Sequence, residues 1–178
     1  MTGRTDWLGP QERGSSQKPL RVVPKEEAVF WMDGQGRWRN AHGRFEHPRI
    51  ARRFHSCIHW DEQGFYLFQE HPGYLEKIYF PCEDTALFAI DFKDGSRPTL
   101  VLNTGKEITL EPESLFIRND SLYQDAGDRR IKLSERVLIK LCRFMDFEHD
   151  PPILRLPQGS FPILCRDSQA WGGFGEEP

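Results

Sequence analysis

The sequence predicts an α+β protein in which two copies of a β-hairpin-plus-helix unit are joined by a central antiparallel β meander. Three observations support this prediction. The chain has short strand-like runs bounded by turn residues, and two segments in which apolar residues recur at helical spacing. In addition, an offset of 85 to 87 residues aligns the strands and helix of the first unit with those of the second. Of the 178 residues 38% are hydrophobic, which is enough material for a core.

The first unit opens with strand candidates at 28–32 and 37–45, separated by the turn sequence DGQG. A helix is predicted from His47 and Pro48, because proline is favoured in the first helical turn. Its apolar positions recur at helical spacing, at Ile50, Phe54, Cys57 and Ile58.

The central meander is predicted from three strand candidates with compact turns between them, at 86–92, 99–103 and 107–110. The run ALFAIDF at 86–92 is almost continuously apolar, which indicates a strand covered on both faces.

The second unit repeats the order of the first. Strand candidates lie at 114–117 and 122–129 around the turn sequence RNDS, and Ser134 is a natural N-cap for a second helix. The apolar positions of that helix are Val137, Leu138, Leu141, Phe144 and Met145. The expected boundaries are a flexible tail at 1–25, the first unit with the meander at 26–111, the second unit at 112–170 and a tail at 171–178.

Charge and cysteine content restrict the class of protein. A net charge of −3 and a pI near 6.1 provide no general attraction for nucleic acid. No apolar run is long enough to cross a membrane, and the first residues lack a secretory signal, so we expect a cytoplasmic protein without membrane contact. The four cysteines form no CxxC pair, and no cofactor is predicted.

The segment HSCIHW, residues 55–60, is the most obvious candidate for a metal site. If the first helix runs through it, Cys57 faces the core while His55 and His59 face away, so a helix cannot bring all three to one ion. The glutamate of an HExxH motif is also missing. We therefore expect solvated histidines and no metal site, with His55 and His59 as weak candidates.

An acidic pair, Glu83 and Asp84, precedes the apolar strand at 86–92. Two carboxylates at that position suit acid/base work or cation binding. Neighbouring residues of a strand face opposite sides, however, so the two would not converge. A structural role is favoured, with Asp84 accepting hydrogen bonds from backbone N–H groups of the turn.

Arginines and tryptophans supply the remaining candidates. Arg49 and Arg53 lie on the polar side of the first helix, which is either a solvated face or a surface for phosphate or an acidic partner. Trp31 and Trp38 either line a groove between hairpin and helix or belong to the core. The predicted ligand-binding residues are Trp31, Trp38, Arg49, Arg53, Glu83 and Asp84.

A series of glycine, aromatic and aliphatic positions resembles a bacterial domain family of unknown function. These positions are Gly36, Trp38, Gly43, Ile50, Phe54, Gly64, Tyr66 and Leu67, followed by EKIYFPCEDTA at 76–86. The resemblance spans about residues 28–165 and implies a β-rich fold of repeated structural motifs and an association with signal transduction. It carries over no catalytic residue, and Pro81 interrupts the strand where the family pattern continues.

The sequence contains neither a GxSxG elbow nor a GxxxxGK phosphate loop. The leading hypothesis is therefore a non-enzymatic cytoplasmic binding or regulatory protein that recognises a protein partner or small ligand between the two units. The alternative is a small metal-dependent hydrolase using His55, His59 and nearby carboxylates. A structural subunit of a larger assembly is a third reading.

Overall fold

A computed structural model of the chain describes residues 18–166 and builds them mainly from β-strands. The strands are β1 Leu20–Val23, β2 Phe30–Met32, β3 Trp38–Asn40, β4 Gly43–Arg44, β5 Ile58–Asp61, β6 Gly64–Glu70, β7 Leu75–Tyr79, β8 Phe88–Lys93, β9 Thr99–Leu102, β10 Glu107–Thr109, β11 Leu115–Arg118, β12 Ser121–Asp125, β13 Arg130–Leu133, β14 Met145–Asp146, β15 Ile153–Leu156, β16 Gly159–Pro162 and β17 Leu164–Cys165. The α-helices are α1 Pro48–Ser56 and α2 Glu135–Leu141, and 3-10 turns cover Lys25–Glu27, Pro112–Ser114 and Cys142–Phe144.

The described strands form four sheets. The first has the order β1-β7-β6-β5, and β2-β3-β4 form a separate antiparallel sheet. The largest sheet has seven strands in the order β10-β9-β8-β13-β12-β11-β17, and the fourth is β14-β15-β16. Residues 20–23, inside the segment 1–25, form β1, which runs parallel to β7.

The predicted α+β class, with two hairpin-plus-helix units and a joining meander, is wrong, because this protein is a β-rich fold. The two helices have nine and seven residues, too short to form a layer of their own over the sheets. The strands β8, β9 and β10 do not lie between two units either. They belong to the same sheet as β11–β13, through the parallel pairing of β8 with β13.

The first helix begins at Pro48 as predicted but ends at Ser56, before the second half of HSCIHW. Residues 58–61 form β5, which pairs antiparallel with β6. Ile58 and its partner Leu67 are buried on one face of this pair. A short apolar run fits helical and alternating patterns equally well, and here the pairing with β6 decides between them.

Burial within α1 also differs from the helical prediction. Ile50, expected in the core, is 48% exposed, and no residue of the helix is fully buried. In α2 the predicted positions Val137 and Leu141 are fully buried, whereas Phe144 and Met145 lie beyond the helix, in the 3-10 turn and β14.

The core contains an aromatic cluster beneath α1. Trp38 is 1% exposed, and its ring contacts three phenylalanine rings edge-on, at centroid distances of 5.7 Å for Phe30, 5.4 Å for Phe54 and 4.8 Å for Phe80. Edge-on aromatic pairs add to the free energy gained from burial. The hairpin β2–β3 and helix α1 are thus fixed to each other mainly by rings.

Candidate functional site

Asp84 lies where the β2–β4 sheet meets the seven-stranded sheet, and it is the centre of a polar network. Its Oδ2 accepts hydrogen bonds from the Tyr123 hydroxyl at 2.7 Å and from Lys132 Nζ at 3.0 Å. Its Oδ1 accepts from Arg130 Nη2 at 2.9 Å. Lys132 Nζ also donates to the carbonyl oxygen of Gly34 at 2.9 Å, so the network ties β12 and β13 to the β2–β3 turn.

The network keeps Asp84 ionised. Burial by itself would raise the pKa of this carboxyl group, but the hydrogen bonds from Tyr123 and Lys132 and the charges of Lys132 and Arg130 lower it below its ordinary value. Burial and the neighbouring Asp84 raise the pKa of Tyr123 to about 12. At neutral pH Tyr123 is therefore a hydrogen-bond donor and Asp84 an acceptor.

Glu83 and Asp84 point to different partners, as expected for neighbours in an extended segment. Glu83 Oε2 accepts the backbone N–H of Gly34 at 2.8 Å. Glu83 therefore binds one backbone N–H of the β2–β3 turn, whereas the Asp84 carboxylate accepts hydrogen bonds from side chains and not from backbone N–H groups as predicted.

The β2–β3 turn is itself held rigidly by Asp33, which is 3% exposed. Its Oδ1 accepts the backbone N–H groups of Gln35 and Arg37, and its Oδ2 accepts from Arg39 Nε at 2.8 Å. Gly36 closes the turn with φ +75°, a conformation that favours glycine. The Phe88 ring lies only 2.8 Å from where a Gly36 Cβ would be, so a larger residue does not fit.

Beside this network lies a groove of about 370 Å³, which we call the central groove. One wall is the β2–β3 turn, and the other walls are the β11–β12 turn, the end of β13 and the start of α2. The lining residues are Gly34, Gln35, Arg37, Phe88, Asp120, Ser121, Lys132, Leu133, Ser134, Glu135, Arg136 and Leu138. The volume lies within the range of small-molecule sites, roughly 300–1,000 Å³.

The predicted site residues do not assemble around this groove. Met32 pairs with Trp38 and shares its buried face, so Trp31, one residue earlier, lies on the opposite side of the hairpin. Arg49 and Arg53 are exposed on α1. Glu83 and Asp84 adjoin the groove through Gly34 and Lys132, but neither lines it.

Tyr123, Arg130 and Lys132 are absent from the site that the sequence predicts. The sequence RIKL at 130–133 does contain a pattern that groups two of these residues. Arg130 and Lys132 alternate there with buried Ile131 and Leu133. This period of two places both cations on one face of a strand. Their common partner, Asp84, is 46 and 48 residues away in sequence, so no local pattern reveals it.

The two histidines of HSCIHW separate. His55 is half-buried against Trp38, and its Nε2 is hydrogen-bonded to the carbonyl oxygen of Gly36 at 3.1 Å. His59 lies on β5, where its ring stacks on Tyr66. Burial lowers the pKa of both imidazoles, and near His59 the charge of Lys106 adds to this effect.

The expected helical i,i+4 pair therefore does not exist, and His55 is not a solvated residue. Residues 18–166 contain no group of three histidine, cysteine, aspartate or glutamate side chains placed to hold a metal ion.

The cysteines of the described segment are free thiols. Burial raises the pKa of Cys82 to about 11, so this thiol stays protonated at neutral pH and is a poor nucleophile. Within residues 18–166 no helix has the length and apolar character needed to cross a membrane.

Comparison with known proteins bears on the fold. No protein-family model matches the chain, and no curated protein matches it. A crystal structure of a DUF1285 family protein from Silicibacter pomeroyi is similar, with a TM-score of 0.56 and 17% identity over 83% of each chain. A DUF1285 family protein from Shewanella baltica gives a TM-score of 0.47 and 18% identity, over 65% of this chain and 91% of that one.

At 17% identity, the similarity to the first structure is evidence for a shared fold alone. The Silicibacter pomeroyi protein belongs to a family of unknown function, in line with the resemblance seen in the sequence. The repeated motifs and the association with signal transduction stay predictions.

Proposed function

We propose that this protein is a non-enzymatic binding or regulatory protein that holds a small ligand or a segment of a protein partner in the central groove. The observation that supports the proposal most is the composition of the groove. Its lining combines the apolar side chains of Phe88, Leu133 and Leu138, which we call the floor, with polar and charged residues, which we call the rim. Concave sites of this kind, with a few convergent polar groups, are typical of ligand binding.

The walls of the groove belong to segments distant in sequence that the Asp84 network holds together. Lys132 joins Gly34 on one wall to Asp84 beneath, and it is half-buried, at 19% side-chain exposure. A site whose walls are fixed in advance loses less conformational entropy when a ligand binds. The proposal therefore includes a largely preformed groove.

A regulatory role in signal transduction, in the cytoplasm, completes the proposal. This role is supported by the family resemblance of the sequence, whereas the assignment of the groove rests on its lining residues alone. The hydrolase alternative is not part of the proposal, because His55 is bonded to Gly36 and His59 stacks on Tyr66.

Binding in the groove can be tested by NMR with a library of small fragments and the full-length ¹⁵N-labelled protein. We expect the chemical-shift changes to cluster at the backbone amides of Gly34, Ser121, Leu133 and Leu138. The Gln35→Trp variant should suppress these changes, since Gln35 is an exposed residue of the rim. Gln63→Trp is the matched control, at an exposed turn between β5 and β6.

Fragments that perturb another region, or that perturb the groove equally in Gln35→Trp and the unchanged protein, would refute the proposal. Chemical-shift changes at the groove amides that persist in the Gln63→Trp control but disappear in Gln35→Trp would support the proposal.

A further inference from the structure

We infer that the ligand of the central groove is a small zwitterion with an apolar body, such as a free dipeptide with apolar side chains. This inference rests on the proposed function, since it names the ligand class for the same groove. It follows from which charged groups of the rim already have partners and which do not.

Two cationic side chains of the lining already form ion pairs within the protein. Lys132 is paired with Asp84 at 3.0 Å, and Arg136 lies 3.4 Å from Asp91. These cations are therefore less available to an incoming anion than an unpaired one.

Three charged side chains of the rim make no ion pair within residues 18–166: Arg37, Asp120 and Glu135. They belong to different walls. Arg37 follows the β2–β3 turn, Asp120 lies in the β11–β12 turn, and Glu135 begins α2. The groove thus carries an unmatched cation on one wall and unmatched carboxylates on the others.

The position of Asp120 is set by backbone geometry. Asn119 and Asp120 have φ values of 46° and 55°, as a two-residue type I′ hairpin turn requires. Asn and Asp adopt this left-handed region more readily than other residues with a side chain. The carboxylate of Asp120 is therefore displayed at a tight, well-defined turn.

Arg37 is the group of the rim that suits a ligand carboxylate. The two parallel N–H groups of its guanidinium can donate to both oxygens of one carboxylate.

These groups describe one complementary ligand. Its carboxylate would face Arg37, its ammonium group would face Asp120 and Glu135, and its apolar body would cover the floor. A ligand with a single charge would leave one wall desolvated without compensation, which penalises it relative to the zwitterion.

The test uses isothermal titration calorimetry with three probes that share one body: L-leucyl-L-phenylalanine, its N-acetyl derivative and its C-terminal amide. The first carries both charges, the second lacks the cation, and the third lacks the anion. We expect each capped probe to bind at least about tenfold more weakly than the free dipeptide, which is about 1.4 kcal/mol.

Substitutions in the groove test which wall binds each charged group of the dipeptide. Arg37→Gln should remove the preference for the free dipeptide over the amide, and the double variant Asp120→Asn, Glu135→Gln should remove the preference over the acetyl form. Arg97→Gln, at an exposed position outside the groove, is the matched control and should retain both preferences.

If the capped probes bind as well as the free dipeptide, or if none of the three binds, the zwitterion assignment is wrong. The fragment experiment separates this from failure of the proposed function, because fragments that still map to the groove keep it as a binding site for another class of ligand.

Discussion

Helices α1 and α2 each follow three antiparallel strands and precede three more, but different side chains hold them in place. Beneath α1 the contacts are aromatic, and Trp38 is the ring that the others share. The fully buried side chains of α2 itself are aliphatic, Val137 and Leu141. Packing beneath α1 is concentrated in a single large residue, whereas α2 contributes two smaller buried side chains.

The regions around α1 and α2 also differ in their ion pairs. In α2 and the turn after it, Lys140 reaches Asp91 at 2.6 Å and Arg143 reaches Asp94 at 2.7 Å. The exposed arginines of α1, Arg49, Arg52 and Arg53, form no ion pair within the part of the chain that the structure describes. The outer face of α1 is therefore the one left to solvent, while α2 is bound to β8 and its following turn.

The largest effect we expect is at Trp38. Trp38→Ala should lower the free energy of unfolding by about 4 kcal/mol, since it removes a buried ring in contact with three others. Leu141→Ala should cost about 3 kcal/mol, because it removes a fully buried but smaller side chain. Urea unfolding followed by circular dichroism measures both values.

Trp38→Phe serves as the control for ring size. Trp38 Nε1 has no hydrogen-bond partner within residues 18–166, so losing the N–H itself should cost little. A larger loss for Leu141→Ala than for Trp38→Ala would contradict the idea that packing beneath α1 is the more concentrated of the two.

The next effect concerns Asp84, which connects the two regions. Asp84→Ala should destabilise the protein by about 3 kcal/mol at pH 7, because the partly buried cations Arg130 and Lys132 and the buried Tyr123 lose the carboxylate that they share. Asp91→Ala should cost clearly less, since its pairs with Arg136 and Lys140 are more exposed. Urea unfolding of the three proteins at one pH provides the comparison.

The pH dependence of this effect has a definite sign. The folded pKa of Asp84 lies below its ordinary value of 3.8, so its ionised form stabilises the fold above about pH 4. That contribution is lost as the pH falls through the lowered pKa. The difference between Asp84→Ala and the unchanged protein should therefore shrink as the pH falls below about 4, and a constant difference would argue against the network.

The smallest effect is expected at two glycines with positive φ. Gly36→Ala should cost about 2 kcal/mol, because it combines an unfavourable φ of +75° with a Cβ only 2.8 Å from the Phe88 ring. Gly105→Ala, at φ +86° in open space, should cost about 1 kcal/mol from the backbone alone. Thermal unfolding distinguishes the two, and equal losses would show that the β2–β3 turn is not closely packed on β8.

Local features were predicted well because their causes lie within a few residues. The turn at DGQG and the turn at RNDS are both present, and α1 begins at Pro48. Where the prediction failed, a distant partner was decisive. Residues 58–61 leave the helical pattern because β6 offers them backbone hydrogen bonds and a buried place for Ile58.

The candidate site shows the same division. Asp84 was identified as a candidate from its position before an apolar strand, yet its partners Arg130 and Lys132 could not be assigned. Trp31 and Trp38 were grouped by residue type, and strand alternation then placed them on opposite faces. Arg37, Asp120 and Glu135 carry no motif and become a group only because three distant segments meet.

By itself, the sequence determined the turns and the starts of both helices. These depend on proline, on glycine and on short-range periodicity, all of which act locally. Only the tertiary structure decided which strands pair, that the fold is β-rich and where the central groove lies. Those outcomes depend on hydrogen bonds and burial between segments far apart in sequence, whose free energy no single segment contains.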